Sequence, residues 1–206
     1  MSSEIVFDKS LVFSENYNFR CSLFENLDTK ECDILFTGDS LTEKCEWNEL
    51  FPEFNVVNRG ISGDTVIGLN ERMDQITGIK ATHLFILIGI NDLQQKRNST
   101  QILYYIEKII EKLRIIESGC KVYFQSILPV ITVNLESGVT NFQIRELNRD
   151  LNLLCISKKI GYLELHPHFT GINGELDPNF TYDGLHLNGN GYIKWAEIIR
   201  KSLELN

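Results

Sequence analysis

Four short clusters in this sequence hold the residue types that acyl transfer requires: Gly38-Asp39-Ser40, Arg59-Gly60-Ile61-Ser62-Gly63-Asp64-Thr65, Gly89-Ile90-Asn91-Asp92 and Asp183-Gly184-Leu185-His186. Hydrolysis of an ester needs a nucleophile, a base that takes its proton, a group that orients the base, and donors for the oxyanion of the tetrahedral intermediate. Ser40 offers the nucleophile. His186 offers a general base that then serves as general acid, and Asp183 a carboxylate that holds the imidazole tautomer. The three-residue step from Asp183 to His186 lets one short turn carry both. The candidate oxyanion donors are the Ser40 N–H at the start of a helix, the Gly63 N–H and the Asn91 side-chain amide. This chemistry calls for no metal and no cofactor.

Residues so far apart in sequence must be assembled by a fold, and the hydrophobic pattern indicates which one. Short apolar runs alternate with stretches of helical period, the pattern of a parallel sheet covered by helices on both faces. Strands are expected at residues 33–37, 55–58, 83–88, 121–126 and 161–165. Ile102, Ile106, Ile109, Ile110, Leu113 and Ile116 mark one helix, with Gly119 as its stop signal. Residues 139–158 carry Phe142, Leu147, Leu151, Leu154 and Cys155 on a second stripe. Residues 189–203 carry Tyr192, Trp195, Ala196 and Ile199 on a third, and one helix is read at residues 16–26. The fold class is therefore α/β: a three-layer α/β/α sandwich with a five-stranded parallel sheet of the flavodoxin-like kind. Ligands of such sheets bind beyond the carboxyl ends of the strands. The first three clusters follow the first three strands and the fourth lies past the fifth, so all four are expected on one rim.

With 206 residues, 43% of them hydrophobic and 23% charged, the chain suits a single domain spanning residues 1–206, with residues 1–31 as an N-terminal extension packed on it and given no function. A net charge of -8 would repel a phosphate backbone or an anionic membrane, so neither nucleic acid nor membrane is an expected partner. No apolar run has the length of a membrane span, and the first residues lack the layout of a secretory signal. The five cysteines are scattered, odd in number and without a C-x-x-C pair, which points to a reducing, cytoplasmic compartment. Nothing in the sequence speaks to oligomeric state.

The four clusters, in this order, resemble the conserved blocks of the SGNH, or GDSL-type, hydrolase family, from about Asp33 to the C-terminal helix. Phe36-Thr-Gly-Asp-Ser-Leu and Val57-Asn-Arg-Gly-Ile-Ser-Gly-Asp-Thr look closest to the platelet-activating-factor acetylhydrolase alpha-subunit type and to small bacterial acetylesterases. The resemblance implies a serine ester hydrolase fold with Ser40, Asp183 and His186 as triad and Ser40, Gly63 and Asn91 as oxyanion hole. Gly60 stands in reserve for Gly63. It further implies a small-molecule substrate, a short acyl ester of a carbohydrate or other polar alcohol.

Each cluster taken singly has a plainer explanation. Gly, Asp and Ser after a strand are common turn and cap residues, and so are Asn91-Asp92 and Asp183. The conjunction favours catalysis, because turn chemistry alone does not supply every role once. Ser62 fails the Gly-x-Ser-x-Gly elbow at position 64 and reads as structural. His166 and His168 read as loop residues rather than metal ligands, and His83 as a core or edge histidine. Trp47 and Tyr182 could line the site or merely pack. Rival functions are lysophospholipid or thioester hydrolysis or acyl transfer at the same serine, a flavodoxin-like module cradling phosphate at residues 38–41, and a metal site of Asp183 and His186 with Asp39.

Overall fold

A computed structural model of the chain describes residues 12–114 and 119–204. Its sheet contains β1 (Glu31–Gly38), β2 (Val56–Gly60), β3 (Lys80–Leu87), β4 (Lys121–Gln125) and β5 (Gly161–Leu163), all parallel and ordered β2-β1-β3-β4-β5. That is the doubly wound order with its switch point between β1 and β3. Around it lie α1 (Glu15–Glu25), α2 (Ser40–Glu43), α3 (Trp47–Leu50), α4 (Val66–Glu71), α5 (Asp74–Thr77), α6 (Ile90–Gln94), α7 (Ser99–Leu113), α8 (Asn141–Lys158), α9 (His166–Phe169) and α10 (Gly189–Glu204). None of the described helices is long and apolar enough to cross a membrane.

The two-residue period of the strands divides the core into two layers. Leu35, Leu84, Ile86 and Phe124 face one side, where they meet Val66, Ile102, Ile106, Ile109, Leu147 and Leu151 from α4, α7 and α8. Ile34, Phe36, Phe85 and Leu87 face the other, against Trp47, Phe51, Trp195 and Ile199. Each large apolar side chain so buried stabilises the fold by about 1.5–3 kcal/mol. The long helices start where the sequence supplies caps: Asn98 with Gln101 before α7, and Thr140 with Gln143 before α8, each form a capping box.

Several expectations shift in detail. Ile116 lies outside the described residues, as do residues 1–11 of the N-terminal extension. Phe142 is 64% exposed rather than on the core stripe of α8. The inward face instead carries Ile144 and two asparagines: Asn141 clamps both backbone groups of Val130, and Asn148 both of Ile127. A hydrophobic template misses such residues, because they face inward to satisfy extended backbone rather than to bury carbon. β5 stops at Leu163, two residues early, because the N–H groups of Leu165 and His166 both turn to Ser126 Oγ, each at 2.7 Å. The loop expected at His166 and His168 is the short helix α9.

Register places the first three clusters side by side, since Gly38 pairs with both Gly60 and Leu87. The approach is close. A Cβ on Gly60 would stand 2.3 Å from the backbone nitrogen of Glu43, so the end of β2 abuts α2 directly. Gly60→Ala must push α2 aside. It should lower stability by about 1–3 kcal/mol in urea denaturation and displace Ser40, whereas an unchanged midpoint would contradict this packing.

Candidate active site

β1 delivers Ser40 with a single intervening residue. Asp39 adopts extended backbone and caps α2, its Oδ1 accepting the Leu41 N–H at 3.0 Å. A one-turn helix cannot satisfy its own carbonyls, so other elements must. Tyr192 donates its hydroxyl to Leu41 O at 3.0 Å, Trp47 its indole N–H to Thr42 O at 2.9 Å, and Asn58 its amide to Thr42 O at 2.9 Å and Glu43 O at 3.2 Å. Trp47 is itself fixed by stacking on Phe36 at 3.9 Å and edge-on against Trp195 at 4.9 Å. It is therefore a core residue, while Tyr182 is 65% exposed and lies parallel to the His186 ring at 6.1 Å.

The fourth cluster reaches Ser40 from the far end of the chain. Between β5 and Asp183 run α9 and a 3₁₀ turn at Pro178–Phe180, so the cluster is carried by an irregular segment. The Ser40 hydroxyl lies 3.0 Å from His186 Nε2, and His186 Nδ1 lies 2.7 Å from Asp183 Oδ2. Asp183 Oδ1 also accepts the backbone N–H groups of His186 at 2.7 Å and Leu185 at 2.9 Å. Partial burial pushes the Asp183 carboxyl up, but these hydrogen bonds from His186 and Leu185 outweigh it and hold the carboxyl below its ordinary range. An ionised Asp183 places the proton on Nδ1, which leaves Nε2 free to take the Ser40 proton. Thr181 and Asn134 brace the segment from outside: Thr181 Oγ1 donates to His186 O at 2.6 Å and accepts from Gly184 N at 2.9 Å, and Asn134 donates to Asp183 O at 3.1 Å.

Of the other oxyanion candidates, Gly63 lies on the loop after β2 and Asn91 in the first turn of α6 after β3. Gly60 N–H is occupied by Asn58 Oδ1 at 2.9 Å, which disfavours the reserve choice. Gly63 N–H has no backbone acceptor among the described residues, and its φ of +81° is one that glycine tolerates best. Asn91 spends one amide hydrogen on Asp64 O at 2.9 Å and keeps the other. Beneath them Arg72 joins the ends of two strands to the loop after β2: it pairs with Asp64 Oδ2 at 2.7 Å and donates to Arg59 O at 2.8 Å and Gly38 O at 3.2 Å.

This geometry can support nucleophilic attack by Ser40 with proton transfer to His186. It fits the rival readings less well. His186 turns Nδ1 to Asp183 and Nε2 to Ser40, and among the described residues no three His, Cys, Asp or Glu side chains cluster as metal ligands would. The Asp39 side chain already takes the Leu41 N–H at the N-terminus of α2, where a phosphate cradle would need free N–H groups. Ser62 donates to Glu43, His166 bonds Thr170 beside α9, and His83 stacks on Phe85 within β3. The sequence carries no signal for Arg72, Thr181, Asn134 or Glu43, whose partners are all distant or backbone.

Residues 36–193, which include all four clusters, match the GDSL-like Lipase/Acylhydrolase family. The chain belongs to that family and is a carboxylic ester hydrolase with its α/β fold. Among similar proteins, platelet-activating factor acetylhydrolase IB subunit alpha1 of Rattus norvegicus is 28% identical over 174 residues, covering 79% of this chain and 71% of that one. Subunit alpha2 of Homo sapiens is 27% identical over 190 residues, covering 85% and 79%. Among solved structures, a Streptococcus pneumonia protein described as a candidate platelet activating factor aligns with a TM-score of 0.84 and 25% identity, over 92% of this chain and 93% of the other.

Two carboxyls buried behind Ser40 bear on stability. Burial pushes Asp39 up to about 7, with the Leu41 N–H pulling down and the Asp64 and Asp92 charges pushing up. Burial likewise pushes Asp92 up to about 7 against its hydrogen bond from Val66. A carboxyl raised from its ordinary 3.8 binds its proton more tightly when folded, so the contribution of these two groups to stability is full below about pH 4 and is lost as the pH climbs toward 7. Asp39→Asn keeps the cap acceptor without a charge to bury. Its urea midpoint should fall less steeply between pH 4 and 7 than that of the wild type, and an equal slope would contradict an uncharged Asp39.

Proposed function

We propose that this chain hydrolyses a short-chain acyl ester, foremost an acetyl ester, of a carbohydrate or other polar alcohol. The observation that carries the reading is the unbroken path from Ser40 Oγ to His186 Nε2 at 3.0 Å and from His186 Nδ1 to Asp183 at 2.7 Å. Ser40 attacks the ester carbonyl as its proton passes to His186, and Asp183 stabilises the imidazolium. The Ser40 and Gly63 N–H groups and the Asn91 amide receive the oxyanion. His186 returns the proton to the leaving alcohol, and water then repeats the sequence on the acyl-enzyme.

An acetyl group is favoured by the named activity of the acetylhydrolase relatives. Two short connections are in keeping with it: one residue separates β1 from α2 and two separate β3 from α6, so neither strand is followed by a long insertion. Tyr182, parallel to the His186 ring at 6.1 Å and open to solvent, offers a face on which a sugar ring or similar alcohol can stack. The five cysteines are free thiols, in keeping with a reducing, cytoplasmic setting.

Two variables test the reading, the serine and the acyl length. Nitrophenyl acetate should turn over faster than the octanoate or palmitate ester, and Ser40→Ala should lower kcat by at least about 10³-fold. Unchanged turnover in Ser40→Ala would overturn the nucleophile, and a preference for palmitate would overturn the acyl assignment.

A further inference from the structure

The oxyanion role given to Gly63 requires its N–H to be held still, yet no packing around the residue does this. A Cβ built there would meet nothing within 4 Å, so Gly63 is fixed through its neighbours: Ile61 and Asp64 on either side are buried, and the peptides between them are held by hydrogen bonds. The bonds from Ser62, the residue before Gly63, go to Glu43, the last residue of α2 and three positions after Ser40. Glu43 Oε2 accepts the Ser62 N–H at 2.7 Å and also the Ser62 hydroxyl. Glu43 Oε1 faces Arg20 Nε of α1 at 2.9 Å, with both side chains mostly buried at 18% and 23% exposure. A second residue of α1, Asn16, donates to Ser62 O at 3.4 Å, the carbonyl of the very peptide whose nitrogen is Gly63. On the other flank Asn91 holds Asp64 O.

We propose that Glu43 is a positioning residue for the oxyanion donor Gly63, with Arg20 and Asn16 of the N-terminal helix completing the clamp. The inference rests on the proposed serine mechanism and extends it. Because Glu43 belongs to the same helical turn as Ser40, one rigid body sets the spacing between the attacking oxygen and the N–H that receives the developing charge. Arg20 places a positive charge beside the second oxygen of the carboxylate, an ion pair that holds Glu43 on this side of the loop. The N-terminal helix thereby acts on the chemistry without touching substrate.

Loss of such a clamp weakens transition-state binding more than substrate binding, which separates it from a merely structural role. In Glu43→Ala, kcat for nitrophenyl acetate should fall about 10- to 100-fold, the scale of a misplaced reacting group, while KM changes less than about twofold. Affinity for an alkylboronic acid, which forms a tetrahedral adduct on serine, should fall in parallel with kcat. Glu43→Gln retains an oxygen acceptor for Ser62 and should recover most of the rate, and Asn16→Ala, at an exposed position, should show a smaller loss of the same pattern. Wild-type kcat and boronate affinity in folded Glu43→Ala would overturn the clamp, as would a loss confined to KM. If Glu43→Ala does not fold, Glu43→Gln and Asn16→Ala decide alone, and a kcat and boronate affinity unchanged in Asn16→Ala would then overturn the proposal. Failure of the serine mechanism itself reads differently, as full activity in Ser40→Ala.

Discussion

A helix of four residues cannot support itself, and the candidate site is built on one. α2 leaves its carbonyls without internal partners apart from the bond between Lys44 N–H and Ser40 O. An unsatisfied buried peptide group costs about 1–3 kcal/mol, so the fold supplies a partner for each: Tyr192 from the last helix, Trp47 from the next, Asn58 from the neighbouring strand. Ser40 therefore sits on a turn that elements on three sides hydrogen-bond. A turn that is marginal alone is thereby braced from outside.

The same need for partners explains the surrounding charges. Arg72 is buried, and its guanidinium spans Asp64 and the carbonyls ending β1 and β2. Removing it would leave Asp64 as an uncompensated buried charge, a loss of about 3–5 kcal/mol. Asp92 similarly receives Val66 N–H and Arg97. These carboxylates hold the loops that present Gly63 and Asn91 and do not themselves face the reacting atoms. His186 arrives from a segment without regular structure, so Thr181 and Asn134 provide the bracing that a helix or strand would have given.

The sheet was legible in the sequence because buried parallel strands read as apolar runs and each run lay near its observed place. The helix at Ser99–Leu113 was legible for the same reason, its isoleucines repeating at one face. Ser40, Asp183 and His186 could be singled out because each cluster follows a strand or precedes a helix, where the topology leaves polar residues free. What pattern could not reveal was partnership across the fold. Glu43 looks like any surface glutamate on a helix, and only tertiary structure shows it bonded to Ser62. Asn141 and Asn148 were hidden because they face inward at positions where a periodicity argument looks for carbon. Phe142 was misplaced by the converse error, an aromatic taken as core that lies on the solvent side.

The central claim is that Ser40 is the activated serine of this chain, and covalent labelling tests it most directly. The protein is treated with a fluorophosphonate, which reacts with serines whose oxygen a neighbouring base has activated, and the adduct is located by peptide mass. The account predicts a single adduct on the peptide containing Ser40, greatly reduced in His186→Ala. An adduct on Ser62, or labelling of Ser40 that proceeds equally well without His186, would contradict it.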